Sequence, residues 1–100
     1  MYGLTNKTIS NLCRIFAGTP SVQEAIIYGS RARGDYHHHS DIDISLRGNN
    51  ITDKELTHIY FQIDDLLLPY TIDLCVISQL RNEWLIKNIE GEGRTLYSAS

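Results

Sequence analysis

The amino-acid sequence predicts an α/β (α+β) fold, a small mixed β-sheet with helices mainly on one face. Segments with helical spacing of apolar residues alternate with short strand-like segments, in the order α-β-(turn)-β-α-β-α. A capping box and a Pro stop frame the clearest helix. The 100 residues, 42% of them hydrophobic, suffice for one core and are too few for two.

The elements follow in order. Ile9, Leu12, Cys13 and Phe16 form one apolar stripe, which predicts a helix over residues 5–17, ended by Gly18 and Pro20. Residues 22–28 carry the run Ala25-Ile26-Ile27-Tyr28 before Gly29, which suits a buried strand. Arg31-Ala32-Arg33 reads as a helical turn ended by Gly34, and residues 35–40 as a polar loop. Over residues 42–46, Ile42, Ile44 and Leu46 face one way, and Asp41, Asp43 and Ser45 the other. Gly48-Asn49-Asn50 signals a turn. Thr52 and Glu55 then make the capping box of a helix carrying Leu56, Ile59, Tyr60, Ile63, Leu66 and Leu67, stopped by Pro69. Residues 71–77 alternate as a third strand, and Ser78 caps a last helix over 79–89, in which Leu80 pairs with Trp84 and Leu85 with Ile89. Gly91 and Gly93 end it, and Thr95-Leu96-Tyr97 adds a short strand. Residues 1–4 and 98–100 are expected to be loose ends of a single domain.

Composition excludes several classes. A net charge of −3 argues against nucleic acid as a direct partner, because phosphate binding needs a basic face. The apolar runs are too short to span a bilayer, and no long apolar run opens the chain, so a cytoplasmic protein is expected. Cys13 and Cys75, far apart and outside any CxxC motif, read as reduced, buried thiols. Tyr2, Phe61, Trp84 and Tyr97 are large for so short a chain, and surface left over from burying them would mark a dimer or partner interface.

Two features are hard to explain by folding alone. Asp41 and Asp43, at i and i+2 of one strand, share a face with Cα atoms ~6.6–7 Å apart. Carboxylates this close stay ionised comfortably only with a positive charge between them, and Mg2+, which takes hard oxygen ligands, suits the place. Asp73 interrupts an otherwise apolar strand, where aspartate is disfavoured. If the two strands are neighbours in register, three acids converge, and three acids can hold two metal ions ~3.5–4 Å apart, as phosphoryl chemistry uses them. Gly29-Ser30 follows a buried strand; the glycine permits close approach of an anion, and the hydroxyl and following amides can cradle phosphate. Arg31 and Arg33 stand either behind that phosphate or in surface ion pairs with Asp35 or Glu24. Tyr36-His37-His38-His39 reads as a polar loop, since adjacent histidines do not easily converge on one ion.

Gly29-Ser30, ten further residues, Asp41-x-Asp43 and the later Asp73 together resemble the DNA polymerase β-like nucleotidyltransferase superfamily, in particular its minimal nucleotidyltransferases. The strings Gly29-Ser30-Arg31-Ala32-Arg33-Gly34 and Ser40-Asp41-Ile42-Asp43 carry the likeness. The resemblance implies a polymerase β-like sheet with the acids near its open side. It also implies that Asp41 and Asp43 hold two Mg2+ ions, that Asp73 holds the catalytic one and helps activate an acceptor hydroxyl, and that Gly29 and Ser30 hold the triphosphate of an NTP, ATP by resemblance. Small relatives of this kind pair with a HEPN-type helical protein as antitoxin to toxin, and some transfer AMP to it; a homo-oligomer is the other assembly considered. Two rival readings stay open: a module that neutralises its partner by contact alone, and a small-molecule adenylyltransferase. The histidine-rich loop departs from the family pattern and leaves acceptor and base selection open.

Overall fold

The computed structural model describes residues 1–99. The element order is α1 (Asn6–Ala17), β1 (Val22–Tyr28), the single helical turn α2 (Ser30–Arg33), β2 (Ile42–Gly48), α3 (Asp53–Asp64), β3 (Ile72–Val76), a 3-10 turn (Ile77–Gln79), α4 (Glu83–Glu92) and β4 (Arg94–Ser98). The strands form one mixed sheet in the order β3-β2-β1-β4. β1 is antiparallel to β2 and β4, and β2 is parallel to β3.

Alternation along the strands divides the apolar residues between two faces. Ala25 and Ile27 of β1, Ile42, Ile44 and Leu46 of β2, and Leu74 and Val76 of β3 join Leu12, Ile15 and Phe16 of α1 and Ile59 and Ile63 of α3 in the main core. Ile26 and Tyr28 point the other way and meet Ile89 of α4, with Leu80 and Leu85 beside it. Two helices therefore cover one face and one helix the other. Residues 25–28 of β1 read as an unbroken apolar run because they are covered on both sides, whereas β2 alternates because its second face turns polar at Asp43 and Ser45. Ser45 is fully buried there, and its hydroxyl has no hydrogen-bond partner among the described residues.

Side-chain caps set the helix starts. The Thr5 hydroxyl accepts from the Thr8 amide at the head of α1. At the head of α3, the Glu55 amide donates to the Thr52 hydroxyl at 3.1 Å and the Thr52 amide donates to Glu55 Oε1 at 2.9 Å, so the predicted capping box is complete. The same carboxylate also accepts from Ser21 Oγ at 2.7 Å, which ties α3 to the start of β1. Hydrogen bonding holds Glu55 below the usual carboxylate range. On the open edge of the sheet, the Tyr60 hydroxyl accepts from the Leu74 amide at 2.9 Å and donates to the Leu74 carbonyl at 3.3 Å. One phenol thus occupies backbone groups that another strand would otherwise pair with.

Several boundaries differ from expectation. α3 stops at Asp64, well before Pro69, because the chain turns back toward β3 through Leu67, which adopts a left-handed φ of 53° and is exposed instead of extending the stripe. α4 starts at Glu83, capped by Asn82 rather than Ser78: Asn82 Oδ1 accepts from the amides of Trp84 and Leu85. Leu80 precedes that helix and packs under it, Trp84 is exposed, and Gly91 lies inside the helix, with Gly93 at its end. The ends are tied down. Leu4 is buried, and the Ala99 amide donates to the Gln23 carbonyl; Ser100 lies outside the described residues. Both cysteines are free and half-buried rather than buried. Among the described residues no helix is long and apolar enough to cross a membrane.

Thr52→Ala removes the hydroxyl half of the capping box and is expected to lower stability by about 1 kcal/mol. In thermal unfolding this appears as a fall in Tm of roughly 4–8 °C.

Candidate active site

The acidic residues gather where β1 ends and β2 and β3 begin. Strand register places Tyr28 opposite Asp43, and Asp43 opposite Asp73. Paired residues share a face, so Tyr28, Asp43 and Asp73 form one row across three strands, with neighbouring strands ~4.7–4.9 Å apart. The row lies on the face that carries α4. Asp41, one residue before β2, is exposed at the mouth of the row, as is Asp73, while Asp43 is half-buried. The Ile42 amide donates to the Thr71 carbonyl at 2.9 Å and joins the entrances of the two acidic strands.

The electrostatics follow from this crowding. Burial, then the charges of Asp73 and Asp41, push Asp43 above the usual carboxylate range, and Arg33 offsets part of the shift. Tyr28, in the same row, is also pushed up, first by burial, then by its contact with Cys75 Sγ at 3.5 Å, and then by the charges of Cys75, Asp43 and Asp73.

Gly29 sits against this row in a conformation open almost only to glycine, with φ 74° and ψ −154°. A Cβ there would lie 2.5 Å from Asp43 Oδ2. Two constraints therefore demand glycine at the same place, the backbone angle and the neighbouring carboxylate. Ser30 opens α2 immediately after it, half-buried. Gly34, at φ 94°, closes the turn.

The two arginines part company. Arg33 is exposed and pairs with Asp35 at 3.3 Å and Glu92 at 3.2 Å, so the expected partner Asp35 is present and Glu92 takes the place given to Glu24. Glu24 is instead 3.9 Å from Arg47. Arg31 is only 2% exposed. Its Nε and Nη2 donate to the Ser40 carbonyl at 3.2 and 2.9 Å, and its Nη1 donates to the Tyr2 carbonyl at 2.9 Å. Neither reading offered for Arg31, behind a phosphate or in a surface ion pair with Asp35 or Glu24, describes this placement, because its guanidinium is turned into the protein.

Hard carboxylate oxygens, crowded and short of positive charge, fit a divalent cation. Among the described residues, no group of three or more His, Cys, Asp or Glu side chains is arranged as a ready metal cage. Residues 37–39 form an exposed turn in which the Ser40 hydroxyl accepts from the His37 amide at 2.7 Å. A cleft of about 440 Å³ opens beside the entrance to β3, lined by Tyr60, Leu67, Tyr70 and Thr71 among others, and not over the acidic row. Tyr28 and Tyr70 were not singled out in the sequence. Tyr28 stands next to Gly29 at a strand end, which is a usable signal, whereas the neighbourhood of Tyr70 is set by residues far away in the chain.

Comparison with known proteins adds a second line of observation. Residues 10–100 match the family model described as Polymerase beta, Nucleotidyltransferase. The Putative protein adenylyltransferase MJ0604 of Methanocaldococcus jannaschii is 35% identical over 83 residues, covering 76% of this chain and 79% of that protein. A chain in the crystal structure of a toxin–antitoxin with AMP-PNP superposes with a TM-score of 0.72 at 22% identity, over 95% of this chain and 74% of that one. A chain in the complex of tri-AMPylated Shewanella oneidensis HEPN toxin with MNT antitoxin does so with a TM-score of 0.70 at 14% identity, over 95% and 73%. At these identities the two structural likenesses show the fold.

Two outcomes are expected from the geometry. Gly29→Ala strains the backbone and presses on Asp43, with a stability cost of roughly 1–3 kcal/mol measurable by denaturant unfolding. Asp43→Asn, measured without added metal, has the opposite sign. Because the folded state raises the Asp43 pKa, its carboxylate weighs against folding at neutral pH, and that penalty fades as pH falls through the raised value toward the unfolded one. The variant therefore melts higher than wild type near pH 7, and the gap narrows on acidification.

Proposed function

Because the chain belongs to the polymerase beta nucleotidyltransferase family, a family of transferases, we propose that it transfers AMP from ATP to a hydroxyl on a HEPN-type helical partner protein, acting as that protein's antitoxin. The observation that carries the reading is the in-register pair Asp43 and Asp73, with Asp41 at its mouth and Gly29 pressed against Asp43. The adenylyltransferase relative supports adenylyl transfer to protein. The toxin–antitoxin complexes that share the fold, one of them with AMP-PNP, support the nucleotide and the class of partner.

In this reading the acceptor oxygen attacks the α-phosphorus of ATP. The bond from that phosphorus to the bridging oxygen breaks, and pyrophosphate leaves. Asp41 and Asp43 would hold two Mg2+ ions, and Asp73 would share in holding one. When bound, the ions neutralise the crowded carboxylates and the triphosphate and stabilise charge on the reacting oxygens. Asp73, exposed at the open end of the row, would draw the proton from the acceptor hydroxyl. Gly29 brings backbone close to the anion with no side chain in the way, and the Ser30 hydroxyl at the start of α2 donates to phosphate. Arg33 can turn to the triphosphate cheaply, since exposed ion pairs such as those to Asp35 and Glu92 contribute little. The two free thiols suit a cytoplasmic setting.

A labelling experiment tests the proposal. The protein is incubated with Mg2+, a HEPN-type partner and ATP labelled at the α- or the γ-phosphate. Retention of the α-label alone on the partner, abolished by EDTA and reduced on the order of 10²-fold or more in Asp43→Asn, is the expected result. If the partner is neutralised equally by wild type and Asp43→Asn with no label retained, the protein acts by contact and the transfer reading is wrong.

A further inference from the structure

Arg31 is the largest fully buried side chain of the fold, and it is a cation. A guanidinium loses much of its hydration when buried and persists only where its donors are matched. Here they meet backbone and rings. Two N–H groups converge on the Ser40 carbonyl and a third reaches the Tyr2 carbonyl. The guanidinium carbon lies 4.5 Å from the Tyr70 ring centroid and 5.2 Å from that of Tyr36. Such contacts between Arg and aromatic faces are attractive, more so when water is excluded.

The contacts with Ser40 and Tyr70 lie within a few residues of the acidic row along the chain. The Ser40 carbonyl belongs to the peptide that carries the Asp41 amide, so fixing that oxygen fixes the peptide plane from which Asp41 departs. Tyr70 precedes Thr71, whose carbonyl accepts from the Ile42 amide, and Asp73 follows two residues later. Tyr36 belongs to the loop that leads from α2 to Asp41. Arg31 itself follows Ser30 in α2. Tyr2 presents its carbonyl from a left-handed φ of 58°, and Gly3 beyond it, at φ 72°, has no room for a Cβ, which would lie 2.9 Å from Arg31 Nη1. A lysine cannot take this place: an ammonium lacks both the planar fork and the flat face that packs between rings.

We propose that Arg31 is a positioning residue, a buried clamp that holds the Gly29–Ser30 turn, the peptide before Asp41 and the entrance to the Asp73 strand in one fixed arrangement. The role rests on the transfer reading for its effect on rate, and on geometry alone for its effect on order.

The test therefore has two arms, run on Arg31→Lys, on Tyr70→Leu, which removes one ring from the clamp and keeps the guanidinium and its carbonyl partners, and on Tyr70→Phe, which keeps the ring. The first arm is hydrogen–deuterium exchange of the purified proteins. Arg31→Lys and Tyr70→Leu are expected to exchange faster over residues 36–42 and 70–73, with α1 and α3 unchanged and Tyr70→Phe like wild type. The second is α-label transfer at varied ATP. The expected result is a loss of kcat of roughly 10–100-fold, the scale seen when outer-shell partners of metal ligands are removed, with KM for ATP nearly unchanged. Unaltered exchange in those segments overturns the clamp, and so does a loss confined to KM, which would return Arg31 to direct phosphate contact. If Arg31→Lys fails to fold, Tyr70→Leu decides by the same criteria. If wild type shows no Asp43-dependent transfer, the functional proposal fails by itself, and the exchange arm alone upholds or overturns the clamp.

Discussion

Like charges held side by side are the constraint around which this fold is arranged. Asp43 and Asp73 are paired residues on neighbouring parallel strands, and Asp41 stands at the mouth of the same row. Burial and mutual repulsion both disfavour ionisation of Asp43, and exposed Arg33 is a weak counterweight. Such an arrangement persists only because the surrounding structure is built firmly enough to impose it. Stability is given up at the site and recovered elsewhere, a common signature of a place where chemistry is done.

The recovery is visible on the other face of the same strands. Ile42 and Ile44 flank Asp43 in sequence and are fully buried, as Leu74 beside Asp73 nearly is. A strand cannot slip by one residue without exchanging these faces, so the apolar alternation that builds the core also fixes the register of the carboxylates. Tyr60 occupies the outward backbone groups of Leu74 and holds the edge strand that carries Asp73. Gly29 allows β1 to end against Asp43, and Arg31, two residues further on, reaches the peptide before Asp41. The site is thus held from three sides, and two of the residues that hold it, Tyr60 and Arg31, need not touch a nucleotide.

The departures of α3 and α4 from their local signals share a cause. The stripe of α3 continues through Leu66 and Leu67 by spacing, but the chain has to reverse there to bring β3 alongside β2, and Leu67 takes a left-handed conformation to do it. Ser78 and Asn82 are both good N-caps. Asn82 wins in a chain where residues 77–79 form a 3-10 turn and Leu80 packs under the helix. Local signals name the candidates, and the geometry of the return path chooses among them.

By itself the sequence determined the strands, the faces of their residues, the capping box of α3 and the set of acids, because period, capping and the cost of a buried charge are local properties. It also determined that Gly29 follows a buried strand. Only the tertiary structure decided that Asp43 and Asp73 are paired, since strand order and register depend on contacts between segments some thirty residues apart. It decided likewise that Arg31 turns inward while Arg33, two residues later, stays at the surface. Nothing in Arg31-Ala32-Arg33 separates the two. The carbonyls and rings that claim Arg31 belong to Tyr2, Tyr36, Ser40 and Tyr70, and they come together only once the chain has folded.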